Sequence, residues 1–186
     1  MSLEEYINDP ELEEVVNFHG HLCFGLALGF KVAHIAREEF PRPEDEEIVC
    51  IVENNSCAVD AIQYIMGCTF GKGNLVFRDY GKHAYTFINR VNKQAIRISL
   101  AGDISKKLNG LKKNEVIEYI LNNPKVFLKI ERFKDFSDIP PEARIHTSVE
   151  CEECREPVME TRARVLEGRI LCIPCFNRLL NTLLKK

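Results

Sequence analysis

The chain has 186 residues, 45% of them hydrophobic, with 25 Lys and Arg against 28 Asp and Glu for a net charge of −3. That length can bury one ordinary core plus a small appendage, and the charge offers nucleic acid no basic face. No run approaches the eighteen or so apolar residues of a membrane span, and the acidic stretch 1–14 has neither the basic nor the apolar part of a signal peptide. The expected location is therefore the cytoplasm, and the eight cysteines are expected to be reduced rather than paired as a disulfide scaffold.

In chain order, the apolar spacing predicts helices over 11–18 and 22–40, the second carrying Leu22, Leu26, Phe30, Val32, Ala33 and Ala36 and ended by Pro41 and Pro43. The run 48–53 (Ile-Val-Cys-Ile-Val-Glu) is continuously apolar and rich in β-branched residues, as a central strand buried on both faces is. Asn55 and Ser56 can cap a helix over 57–66, and the loop 67–74 that follows, rich in glycine, has a shape against which something packs closely. Segments 75–79, 84–90 and 94–100 alternate like antiparallel strands, with turns at Gly81 and Asn92. A helix is expected from Asp103 to Leu121 and a strand over 126–133, and Pro140 and Pro141 mark the exit from the main domain. Few parallel crossovers are implied. The predicted fold class is α+β, with helices packed on a mainly antiparallel sheet over residues 1–146.

Residues 147–186 read as a second, small domain. Cys151, Cys154, Cys172 and Cys175 form a C-x2-C-x17-C-x2-C pattern, a spacing that closes a tetrahedral four-thiolate zinc site. Such a shell leaves no position for water or substrate, so this zinc holds its segment together and does no chemistry. A hairpin is expected over 158–171 with Glu167 and Gly168 at its tip, then a helix over 175–184 with Pro174 in its first turn. Cysteines at a helix start resemble the treble-clef form of zinc finger.

Chemistry must then come from the larger domain. Phe18 to Gly25 (Phe-His-Gly-His-Leu-Cys-Phe-Gly) places two histidines and a cysteine where a helix begins. In an extended backbone His19, His21 and Cys23 face one way, and in a helix only His19 and Cys23 do. Cys57 at one helix start and Cys68 in the glycine-rich loop after it lie roughly 16 Å apart along the helix. One of them can join Cys23 around an ion within one chain, or a second copy of the chain can supply a ligand. Glu53 and Asp60 flank Cys57 as candidate supporting or acid–base groups. Cys50, inside the strand, and His34, on an apolar helix face, read as core packing. Lys72 lacks the spacing of a phosphate loop and reads as a solvated loop lysine, and 79–82 (Asp-Tyr-Gly-Lys) reads as a hairpin turn.

The motifs at 18–29, 55–63, 67–75 and 79–82, with the terminal cysteines, together resemble FmdE, a family of formylmethanofuran dehydrogenase subunits, over nearly the whole chain. The resemblance implies an α+β core, an auxiliary treble-clef zinc finger, a homodimer, and a metal or active site at His19, His21, Cys23, Cys57 and Cys68. The family usually carries proline after the first cysteine, where this chain has Phe24. The function implied is that of a metal-binding protein associated with oxidoreductases of one-carbon metabolism. It would hold zinc or another transition metal at the core site, with His19, His21 and Cys23 catalytic and Lys72 and Lys82 neutralising an anionic small-molecule substrate. It could also dock to a larger dehydrogenase complex. The alternative is a non-enzymatic metal-handling or partner-docking module. No nucleic acid or membrane partner is expected.

Overall fold

A short helix α1 (Leu3–Ile7) leads into α2 (Pro10–His19), whose start is fixed by Asp9: its Oδ1 accepts the amides of Glu11 at 2.9 Å and Leu12 at 3.3 Å. A cap of this kind is worth about 1 kcal/mol. Gly20, at φ 101°, turns left-handed and stops α2 directly after His19. The chain then restarts as α3 (Phe24–Glu39), with Cys23 as its N-cap. Strand β1 (Ile48–Val52), helix α4 (Ala58–Met66) and strand β2 (Leu75–Phe77) follow. After them come the hairpin of β3 (Ala84–Asn89) and β4 (Ala95–Leu100), helices α5 (Ile104–Leu108), α6 (Lys113–Asn122) and α7 (Pro124–Phe127), and strand β5 (Leu128–Phe133). This computed structural model describes residues 2–102 and 104–185. Asp103, where the fourth predicted helix begins, lies outside them.

The five strands form one sheet in the order β2-β1-β3-β4-β5, antiparallel except for β1 and β2. Alternation along the strands divides the core in two. Ile48, Cys50, Val52, Tyr85, Phe87, Ile96 and Ile98 face the helices. Val49, Ile51, Ile88 and Ala95 face the other way and are covered by Val76, Phe136 and Ile139. The expected doubly buried strand is β1, buried along its whole length.

Three expectations for the elements of this sheet and its helices change. Segment 79–82 is not a hairpin turn, because β2 and β3 lie on opposite sides of β1. The chain passes from β1 through α4 to β2, and a helical connection returns a strand parallel to its predecessor. Residues 78–82 instead wrap the end of β1: the amide of Arg78 donates to Val52, and those of Tyr80 and Lys82 both donate to the Glu53 carbonyl. The single helix expected up to Leu121 is two, α5 and α6, parted at Gly110, whose φ of 84° no helix interior accepts. The predicted strand at 126–133 begins only at Leu128, after the one-turn α7 set by Pro124.

Residues 1–143 and 144–186 form two compact units. In the second, β6 (Ser148–Glu150) pairs with β7 (Pro157–Met159), and β8 (Arg164–Leu166) pairs with β9 (Arg169–Leu171) before α8 (Ile173–Leu183). The expected 158–171 hairpin is thus only its second half. Its tip is Glu167 and Gly168, at φ 50° and 80°, while β7 closes a separate hairpin around the first cysteine pair. No helix among the described residues is long and apolar enough to cross a membrane.

Candidate metal centre

Three helix ends converge in the larger unit. His19 is the last residue of α2, Cys23 the N-cap of α3 and Cys57 the N-cap of α4, and one ligand atom from each lies within 4.8 Å of the others. The approach of α3 to α4 depends on two glycines. A Cβ on Gly25 would stand 3.0 Å from Cys57 Cβ, and one on Gly29 would stand 2.3 Å from the Ala58 carbonyl oxygen. Only bare backbone lets the start of α4, and with it the Cys57 thiol, reach Cys23.

His19 carries the decisive polarity. Its Nδ1 lies 2.7 Å from Asp60 Oδ2. A carboxylate only accepts, so Nδ1 holds the proton and Nε2 presents a lone pair. That Nε2 is buried and has no hydrogen-bond partner, where a buried imidazole nitrogen normally has one. A ring nitrogen of His19 lies within 4.8 Å of the thiols of Cys23 and Cys57, and Nε2 is the one that Asp60 leaves free to bind. Cys23 Sγ accepts the Leu26 amide at 3.4 Å. Burial, and then the hydrogen bond and charge of neighbouring Cys23, push the Cys57 thiol up, because two thiolates side by side repel. One imidazole nitrogen and two sulfurs fit zinc or another soft-site transition metal, and the Asp60–His19 pair is the arrangement that orients a metal-ligating histidine.

Of the other expected site residues, His21 is exposed and packs at a tilt against His19, with ring centroids 4.8 Å apart, outside the three-residue cluster. Cys68 is not brought to the cluster. It lies at the far end of α4, fully buried, its thiol donating to the Ile48 carbonyl at 3.5 Å and pushed up by burial to about 12. Cys50, also fully buried, is held up by desolvation and by Cys68 beside it. Glu53 pairs with Arg97 at 2.8 Å, and Asp60 is the carboxylate that binds a residue of the cluster. His34 packs on Phe30, with ring centroids 4.3 Å apart, and its Nε2 lies 3.1 Å from Glu11. The amide of Lys72 donates to Thr69 Oγ1 within the loop. Gly25 and Gly29 were the pieces not singled out from the sequence, although their four-residue spacing on one helix face was the available signal.

Phe24, next to Cys23, sets its ring edge-on to His83 with centroids 6.5 Å apart. His83 Nδ1 lies 3.1 Å from the Tyr85 hydroxyl, and burial holds the imidazole below its ordinary pKa. Lys82, His83, Arg97 and Ser99 line a cavity of 370 Å³ there.

Residues 18–126 match the family described as FmdE, molybdenum formylmethanofuran dehydrogenase operon. The chain belongs to the FmdE family. A crystal structure of an FmdE-like protein of the tungsten formylmethanofuran dehydrogenase type, from Syntrophus aciditrophicus, is similar over 96% of this chain and 94% of that one, with a TM-score of 0.70 and 25% identity. A curated protein of Archaeoglobus fulgidus, described as a probable S-adenosyl-L-methionine-binding protein, is 30% identical over 187 residues, 85% of this chain. This FmdE chain spans about half the length of that relative, 50%.

Residues 145–179 match the prokaryotic dksA/traR C4-type zinc finger. Here Cys151, Cys154, Cys172 and Cys175 bring their sulfurs within 4.8 Å of one another, with Cys154 and Cys172 at 3.9 Å. Backbone amides, chiefly of Cys154 and then of Cys172, pull Cys151 down to about 6. The Cys172 amide reaches its sulfur at 3.2 Å. Within the shared cluster Cys175 is pushed up to about 12, first by its hydrogen bond with Cys172. Four clustered thiols, with backbone amides aimed at Cys151 and Cys154, form the closed shell of a structural zinc.

Proposed function

We propose that the FmdE unit holds a transition metal on His19 Nε2, Cys23 Sγ and Cys57 Sγ, with a further coordination position left to water or substrate. The observation that carries this reading is the buried, unpartnered Nε2 of His19, whose ring is held by Asp60 within a cluster that includes two thiols. Two sulfurs and one imidazole are a three-ligand set of the catalytic kind, distinct from the four sulfurs of the finger. When bound, the metal supplies Lewis-acid polarisation of an oxygen or sulfur group. His19 and Cys23 orient that group, and exposed His21 beside His19 moves a proton between the site and solvent. Lys82, at the cavity beside Phe24, neutralises an anionic substituent of the substrate.

On this reading the chain is a cytoplasmic homodimer that works with the oxidoreductases of one-carbon metabolism, and its finger is a treble clef. The name of the Archaeoglobus relative makes S-adenosyl-L-methionine the first small molecule to screen. The test is azide and S-adenosyl-L-methionine added to full-length protein carrying zinc in the finger and cobalt(II) in the core. An open position predicts a shift of the cobalt d–d absorption with azide and slow loss of cobalt to a chelator. An unchanged spectrum with rapid loss supports the alternative, a metal-handling module.

A further inference from the structure

An unbroken chain of hydrogen bonds runs from the glycine-rich loop 67–74 to His19. The Phe70 amide donates to Gln63 Oε1 at 3.3 Å, Gln63 Nε2 donates to Asp60 Oδ1 at 3.3 Å, and Asp60 Oδ2 accepts from His19 Nδ1 at 2.7 Å. Gln63 follows Asp60 by three residues on α4, so the two side chains share a helix face. The Asp60 side chain is 39% exposed. Left alone, its carboxylate would rotate and hydrate. With one oxygen held by Gln63, the direction of the other is set toward His19. A glutamine is suited to both ends of this link, because its amide donates to a carboxylate and accepts from a backbone amide, whereas a glutamate only accepts.

The loop end is anchored just as definitely. Gly67 stops α4 at φ 66°, and the fully buried Asn74 side chain donates to Ile48 at 3.0 Å and accepts the Thr69 amide at 2.9 Å. Phe70 stands at the tip, 76% exposed. The backbone of that tip, through the Phe70 amide, is bonded directly to Gln63.

We propose that Gln63 is a positioning residue of the metal centre: it holds Asp60 so that His19 presents Nε2, and it ties that orientation to the conformation of the 67–74 loop. The proposal rests on His19, Cys23 and Cys57 being metal ligands, and its test separates the two claims. Full-length protein with zinc in its finger is titrated with cobalt(II), reading core affinity and d–d absorption for wild type, Gln63→Ala, Gln63→Glu and Cys23→Ser. Both Gln63 variants are expected to bind cobalt about 10-fold more weakly, the low end of the loss seen when a group behind a metal ligand is removed, and to alter the absorption envelope. Gln63→Glu keeps the shape and the acceptor for Phe70, so a role confined to holding the loop leaves it unchanged. Affinity at or above wild type with an unaltered spectrum in Gln63→Glu overturns the proposal, even where Gln63→Ala fails to fold. Full cobalt binding by Cys23→Ser overturns the ligand assignment beneath it instead.

Discussion

The finger and the core cluster both gather thiols, yet they are assembled on different scales. The finger draws four sulfurs from two short turns within residues 151–175, each pair separated by two residues. The core draws one nitrogen and two sulfurs from the ends of three helices, and its third member is 34 positions beyond the second, reached only because Gly25 and Gly29 admit α4. The finger's apolar interior is small, Leu171 with Leu166, Phe176 and Leu179 around its cysteines, so its ion does the work of a core. The FmdE unit has a large core of its own. It can therefore carry an incomplete metal shell, which is what chemistry at the ion requires.

The comparison breaks most readily by removing metal. Chelation should unfold the finger, since a structural zinc contributes on the order of 10–16 kcal/mol to such a unit. Amide resonances of 144–185 should collapse and return with zinc while those of 2–143 keep their dispersion. Retained dispersion in the finger would remove the contrast. Next in size is Gly29→Ala. The new Cβ meets the Ala58 carbonyl at 2.3 Å, so overpacking should cost about 3 kcal/mol in urea unfolding and lose the core metal with the finger metal kept. Wild-type stability with both metals present would show that α3 and α4 need no such contact.

Smaller effects sharpen the picture. Cys68→Ala should cost about 1 kcal/mol, as small buried deletions do, and leave metal content unchanged. A lost equivalent would return Cys68 to the ligand set. The smallest effect concerns the ion pair that ties α2 to α3. Hydrogen bonding to Arg37 holds the Glu11 carboxyl below its ordinary 4.5, with the charges of Arg37 and His34 adding to it and burial opposing. The folded pKa is the lower one, so this stabilisation is full above the ordinary carboxylate value and is lost as pH falls through the folded one. Glu11→Gln should cost about 0.5 kcal/mol near pH 7, and the gap to wild type should close below pH 4.5. A gap constant with pH would assign the effect to packing.

The finger's ligands were legible because their spacing is local, and β1, α3 and α4 because their apolar pattern is strong. Pairing was less so. Alternation marks 75–77 as a strand but does not name its neighbour, which the α4 crossover decides. The choice between Cys57 and Cys68 was open for the same reason. Both flank α4, and only the close approach at Gly25 and Gly29 selects its N-terminal end. Asp60 was legible as a neighbour of Cys57, whereas its bond to His19 spans 41 residues and required the fold.

The central claim is that a second, open metal site exists beside the closed one. Its most direct test is metal content per chain, by mass spectrometry of the elements, in anaerobically purified full-length protein and in Cys57→Ala. Two equivalents in wild type and one in Cys57→Ala, with the four-thiolate site still filled, is the predicted result. Two equivalents in both, or one in wild type, would contradict it.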